Sequence, residues 1–380
     1  MKTWQMVFAL LAFAVAGAAC GGAPAVPSST AARFPTATLP PPTATAAPSR
    51  TPLPTPTPSP TPVALGEPYT HPAGLFTARP PLGWEVDNEE DAWTSFAPPD
   101  GGLWTFFTVT ALNTAVPLPE KGLQRLAAGY LQMYDVEAEP VETKTGEHTV
   151  YVHQHWKTDE GMADYRLLAR QDGAAALLIE LSVPMEEASQ AEAWWGALVE
   201  HVSADRSVIE GEPPYHAFRA FSCHDDFCSL DAPVGWYRTV TKHGTAVAYR
   251  LESPGGRAFI ETVVDKTGAD LSLQAARKTA WRLVRQFAAD DAQELPNGAA
   301  NNDPFFEGVE ADEEAGDDGG GFAWVSPRLG MKGATHYDIC QSQTLVLLNF
   351  AATDDARTAY ANIWDTALGT YEIPWWQQQK

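Results

Sequence analysis

The sequence predicts an α+β protein: two tandem α-β-α sandwiches, each a mainly antiparallel sheet covered by two helices, following a disordered Pro/Thr-rich stalk. Three observations carry this. The tetrapeptide Pro-x-Gly-Trp is written twice, as PLGW at 81–84 and PVGW at 233–236. Each copy is followed by the same series of short strands, an amphipathic helix, three apolar strand-like runs and a closing helix. The stretch 21–63 differs in composition, holding 13 of the 31 prolines.

The N-terminus, MKTWQMVFALLAFAVAGAAC, has one Lys near its start, an apolar run from Met6 to Val15, then small residues and Cys20. The run is short for a bilayer span and its flanks are those of a secretion signal. Its ending, Gly17-Ala18-Ala19-Cys20, resembles the bacterial lipoprotein signal, which implies that Cys20 is lipidated and holds the chain on the cell membrane, facing the extracytoplasmic side. A plain signal peptide cleaved near the same point is the alternative. One acyl chain anchors only marginally, so more than one chain or signal is needed for stable attachment. The Pro/Thr/Ser run that follows has no apolar face and few backbone donors, so it cannot build a core. An extended stalk of that length reaches on the order of 130 Å at about 3.1 Å per residue.

The chain of 380 residues divides accordingly: signal peptide 1–19, Pro/Thr-rich linker 20–66, first copy 67–208, inter-domain linker 209–217, and second copy 218–374 with an acidic insertion at 295–321. In copy one the strand–turn–strand unit is AWTSFAPPDGGLWTFFTVTAL (92–112), and in copy two AVAYRLESPGGRAFIETVVDK (246–266). Glycines at 101–102 and 255–256 suit turns that need positive φ. The first helices show apolar residues at spacings of three and four: Leu123, Leu126, Ala127, Tyr130, Leu131 and Tyr134, then Leu273, Ala276, Ala280, Trp281, Val284 and Phe287. The runs TVYVHQHW, YRLLARQ and AALLIELSV answer to FAWVSPR, HYDICQS and TLVLLNFA. The closing helices bury Ala191, Trp194, Trp195, Leu198 and Val202 in one copy and Ala359, Ile363, Trp364 and Ala367 in the other, and both open on acidic residues, which suits a helix N-terminus. The offset between copies grows from 152 to about 168, so copy two carries the insertion, with seven acids between Glu307 and Asp318. In the repeated motif, Pro81 and Pro233 end ladder bonding, Gly83 and Gly235 permit a sharp re-entry, and Trp84 and Trp236 anchor the core.

A short strand ending in Phe-x-x-x-x-Pro-x-Gly-Trp, then a Gly-turn hairpin, helix, three strands and closing helix, resembles the PsbP-like superfamily. The resemblance covers roughly 70–208 and 218–373. It implies the fold of the extrinsic PsbP subunit of photosystem II, shared with a Ran-binding transport factor and with bacterial lipoproteins. It implies no catalytic residues, because that fold serves unrelated functions.

Net charge is −23, from 48 acidic and 25 basic side chains. That disfavours nucleic acid and anionic lipid as electrostatic partners. No GxSxG, HExxH, GxxxxGK[ST] or GxGxxG signature occurs, which lowers the case for hydrolase, metalloprotease or nucleotide enzymes. Outside the cytoplasm disulfides are permitted. Cys223 and Cys228 face each other across a hairpin in FSCHDDFCSL and are the disulfide candidate; a metal site using Cys223, His224 and Cys228 competes with it. Cys340 reads as a buried small hydrophobe. His153 and His155, two apart on a strand, point to one face and are the metal candidates, against the plainer reading of two solvent-facing histidines. The acidic insertion fails the EF-hand spacing and reads as a solvated loop. Trp375 and Trp376 would dock on the second domain or form an exposed patch. The expectation is a non-enzymatic, lipid-anchored binding or scaffold protein without a cofactor, with an envelope protein or small ligand as partner and no nucleic acid. An extracellular metal-handling protein or unusual enzyme, using His153/His155 or the acidic loop, is the alternative.

Overall fold

The central strands form on nearly continuous apolar runs, as strands buried on both faces do, and the helices form where apolar residues recur every third or fourth position. A computed structural model describes residues 64–224, 227–296, 319–340 and 343–373. Cys20, the stalk, most of the acidic insertion and Trp375-Trp376 lie outside the described residues. Copy one opens with β1 (Tyr69–Thr70) and β2 (Phe76–Ala78), then β3 (Glu85–Glu90), β4 (Trp93–Ala97) and β5 (Phe106–Asn113). Helix α1 (Glu120–Leu131) follows, then β6 (Glu137–Gly146), β7 (Thr149–Thr158), β8 (Gly161–Asp172), β9 (Ala175–Pro184) and α2 (Ala188–Glu200). Strand β10 (Ser203–Ala204) and the short helix α3 (Arg206–Ile209) close the copy.

Copy two repeats the plan with β11 (Phe218–Cys223), β12 (Cys228–Pro233), β13 (Tyr237–His243), β14 (Ala246–Glu252), β15 (Ala258–Lys266) and α4 (Leu273–Leu283). It ends with β16 (Gln293–Glu294), β17 (Gly319–Ser326), β18 (Met331–Cys340), β19 (Thr344–Thr353) and α5 (Ala361–Thr370). The two main sheets have seven strands each, in the same order: β3-β4-β5-β9-β8-β7-β6 and β13-β14-β15-β19-β18-β17-β16. Every pairing in them is antiparallel. Among the described residues no helix is long and apolar enough to cross a membrane.

Each sheet is covered on both faces, which makes the predicted three-layer sandwich. In copy one, Leu112, Leu167 and Leu178 pack with Leu123 and Leu126 of α1. The alternate positions Val109, Ala111, Leu177 and Ile179 pack with Ala191 and Leu198 of α2. In copy two, Val263 and Leu347 face Ala276 and Ala280 of α4, while Ile260 and Phe350 face Ile363 and Trp364 of α5.

The repeated tetrapeptide makes the same turn twice. The Trp84 N–H donates to the Pro81 carbonyl and the Trp236 N–H to that of Pro233. Gly83 has φ +87° and Gly235 φ +81°, the positive value that the third residue of a type II turn requires. The Gly-turn expectation fares differently in the two copies. Gly256 has φ +69°, but neither Gly101 nor Gly102 lies in the positive region. Those two are small for room: a Cβ would strike Pro98 at Gly101 and the Glu160 carboxylate at Gly102.

One strand and three tryptophans depart from expectation. Strand β6 has no buried residue, so nothing in its pattern announces it; it is a polar edge strand with Pro140 at a bulge. Trp194 and Trp195 are half-buried rather than core, packing on Trp84 and Tyr151. Trp84 is half-buried as well, whereas Trp236 is 2% exposed.

The difference between the two tryptophans comes from the join. Residues 209–217 are tied down rather than loose. Asn113 donates to the carbonyls of Glu210 and Glu212, and the Tyr215 N–H donates back to Asn113. Tyr215 is fully buried, edge-on to Trp236 and Tyr360. Helix α1 of copy one lies on the second Pro-x-Gly-Trp turn, with Gly129 against Gly235 and Trp236. Ala217 and Val234 join the α1-side core of copy one. The two copies therefore share a core where they meet.

Candidate functional site

Strand β9 is apolar apart from Ser182 and one acid in its middle. Glu180 has no exposure, and a buried carboxylate needs donors. Three tyrosine hydroxyls supply them. Tyr130 from α1 donates at 2.6 Å, Tyr165 from β8 at 2.6 Å, and Tyr134, just past α1, reaches both oxygens at 2.9 and 2.8 Å. Burial pushes the Glu180 carboxyl up from its ordinary value; the tyrosine hydroxyls and the charge of Arg219 pull back only part of that shift. Burial, and then the Glu180 charge, likewise hold all three phenols above theirs.

Arg219 comes from the other copy. It is the second residue of β11, and its guanidinium lies over the rings of Trp93, Tyr134 and Tyr130, with 5.2, 5.5 and 6.0 Å to the ring centres. Aromatic faces attract a cation, more strongly when water is excluded. One strand of copy two thus supplies the cation for a cluster of aromatics and a carboxylate built by copy one.

The matching cross-strand rows of the two copies are filled differently. Counting from the two tryptophans, the cross-strand row Ser95–Thr108–Glu180–Leu167 of copy one corresponds to Arg250–Glu261–Asn349–Thr335 of copy two. Both rows bury a carboxylate on the face of the first helix. In copy two the row closes on itself. Arg250 pairs with Glu261 at 2.9 Å, Asn349 donates to the other Glu261 oxygen and accepts from Thr335, and Trp324 donates to Thr335. In copy one the arginine position is Ser95, and the space is open. A cleft of about 330 Å³ lies there, with Trp93, Ser95, Phe106, Thr108, Tyr134 and Arg219 in its walls. Arg219 also borders a second cavity of about 270 Å³ between the copies, which reaches Gly129, Trp236 and Arg238.

A separate cluster lies on the opposite face of the first sheet. His153 and His155 share that face as expected, and strand pairing adds a residue that the sequence did not suggest. Asp164 on β8 stands directly opposite His155. One ligand atom each from His153, His155 and Asp164 falls within 4.8 Å of the others. His153 Nε2 is 2.7 Å from Asp164 Oδ2, and Arg166 Nε donates to Asp164 Oδ1 at 2.8 Å. Two imidazoles and a carboxylate are a donor set that suits zinc and its neighbours.

The remaining sequence candidates resolve simply. Cys223 and Cys228 are directly opposed in the β11–β12 hairpin and joined as a disulfide, so their thiols are not available to a metal with His224. Cys340 is buried beside them. Pro81, Gly83, Trp84, Pro233, Gly235 and Trp236 are structural. Glu180, Arg219 and Asp164 escaped the sequence reading. Glu180 left a trace there, as the lone acid in AALLIELSV.

No protein-family model matches the chain, and no curated protein matches it. Among solved structures it is similar to a protein of Bacteroides thetaiotaomicron VPI-5482, with 18% identity and a TM-score of 0.26 over 42% of this chain. The match spans 54% of that chain's length. It is also similar to the cyanobacterial PsbP, CyanoP, of Synechocystis sp. PCC 6803, with 11% identity and a TM-score of 0.28 over 37% of this chain and 93% of that one.

Proposed function

We propose that this is a lipid-anchored, non-enzymatic binding protein of the cell envelope, built from two PsbP-like domains, and that its ligand seat is the cleft of copy one. The observation that carries this is the open row at Ser95, where the matching row of copy two is plugged by Arg250. A duplicated framework that fills the space in one copy and leaves it open in the other has the form of a framework half and a binding half. The walls carry aromatic rings, the hydroxyls of Ser95, Thr105 and Thr108, the Arg219 cation and, at the rim strand, the Asp87 carboxylate. This favours a small planar ligand with an anionic or acceptor group turned toward Arg219 and away from Asp87. The polar groups behind the wall are engaged with one another, which suits a binding site better than a reacting one. The lipoprotein-type signal at Cys20 and the proline-rich stretch after it support display away from the membrane.

Titration calorimetry of the full chain with a planar aromatic carboxylate, 2-naphthoate, tests the reading. Saturable one-site binding is expected, weakened at least about tenfold in Ser95→Phe, which fills the cleft, and in Arg219→Ala, which removes a charge-assisted contact. Binding that neither substitution affects would place the ligand elsewhere, and turnover of a substrate in this cleft would end the non-enzymatic reading.

A further inference from the structure

We propose that His153, His155 and Asp164 form a binding site for a divalent first-row transition metal, with zinc as the reference ion, separate from the cleft and on the other face of the same sheet. Four observations carry this. The first is the convergence of the three ligand atoms within 4.8 Å. It comes from the backbone: residues two apart on β7 share a face, and the tight turn Thr158–Gly161 sets the register that brings Asp164 opposite His155. The second is the state of Asp164. It is 2% exposed, and Arg166 Nε holds its Oδ1, so Oδ2 alone is presented to the histidines. A hydrogen-bonded outer partner that orients a carboxylate is the usual second layer of a metal site.

The third observation is fit. A tetrahedral zinc with bonds of about 2.0–2.2 Å sets its ligand atoms about 3.3 Å apart. The 2.7 Å contact between His153 and Asp164 opens by about half an ångström to admit the ion, which a small rotation of the half-buried His153 ring supplies. Three protein ligands leave one position for water or another group. Charge also fits. Arg166 is shared between Asp164 and Glu192 of α2, and Glu139 of the edge strand stands opposite His155 in register, so the site is not left with a net positive field before the ion arrives.

The fourth observation is the second copy. The same register positions there are Ala323, Val325 and Lys332. The ligand set is therefore no requirement of the fold; it belongs to copy one alone.

Calorimetric titration of the metal-stripped full chain with Zn²⁺, in the presence of excess Mg²⁺, is the test. One zinc per chain is expected, unaffected by Mg²⁺, a hard ion that prefers oxygen ligands. Removing a direct ligand costs more than the roughly 10–100-fold typical of an outer partner, so His155→Ala should lower affinity beyond that range and the His153→Ala/His155→Ala double variant should abolish the site. A wild-type chain that takes up no zinc at micromolar concentrations overturns the proposal. So does a double variant that still binds one zinc as tightly, because the ion is then held elsewhere. Should the variants fail to fold, zinc protection of His153 and His155 from diethylpyrocarbonate in the wild-type chain reads the same site: protection supports it, and unchanged labelling overturns it.

Discussion

At the scale of single residues, Glu180 sets the strongest constraint. A carboxylate in a sealed sandwich core is tolerable because three phenols donate to it. Removing one donor, as in Tyr165→Phe, leaves the charge short of a partner and should cost about 1–3 kcal/mol, measured as the shift in a urea unfolding curve. The pH dependence has a definite sign. The folded-state value of Glu180 lies above its unfolded value. Between the two, the native chain binds more protons than the unfolded one, so stability falls as pH rises through that window. Glu180→Gln removes the titration. Its unfolding free energy should therefore lose less than the wild type's from the lower to the upper end of that window, and equal losses would show that Glu180 does not titrate there. These residues also mark where sequence reading stops. An isolated Glu in a nine-residue apolar run was visible, but its three partners lie 15, 46 and 50 positions away. Asp164 was nearer to view: pairing VYVHQHWKT with ADYRLL through the turn at Asp159-Glu160 places it opposite His155, a register that hydrophobic pattern alone does not fix.

At the scale of elements, the helices were legible from their regular apolar spacing and the central strands from their unbroken apolar runs, and the polar edge strand β6 was not because it buries nothing. Helix α1 shows how one glycine serves the join. Inside a helix, Gly→Ala ordinarily stabilises by up to about 1 kcal/mol through backbone entropy. Gly196 on α2 has open space where its Cβ would be, so Gly196→Ala should raise the unfolding midpoint. Gly129 on α1 has the backbone of Gly235 and Trp236 there instead. Gly129→Ala should reverse the sign and cost about 1–3 kcal/mol, as overpacking does. Thermal unfolding of the two variants side by side checks this. If both rise, α1 does not rest on the second turn as described.

At the scale of the whole molecule, the repeat was legible from two tetrapeptides, whereas the union of its copies was not. A nine-residue linker suggested two domains with limited freedom. In the structure, Ala217 and Val234 enter the core of copy one, Gln132 and Arg238 exchange a pair of hydrogen bonds, and Arg125 pairs with Glu252. Arg219 completes the aromatic cluster from across the join. The Arg125–Glu252 pair is half-exposed and contributes little. The Arg219 contacts are worth up to about 2 kcal/mol and the paired amide bonds about 1 kcal/mol each. Energies of that size are enough to make two otherwise separable sandwiches unfold together. Calorimetry of the wild type should accordingly give one transition, and Gln132→Ala combined with Arg219→Ala should give two, the lower one belonging to copy one, which loses the cation facing Glu180. A single transition in the double variant, merely shifted to lower temperature, would assign the coupling to Ala217 and Val234 instead. Ligand binding at the cleft would then depend on Arg219 as a contact, but not on the union of the copies.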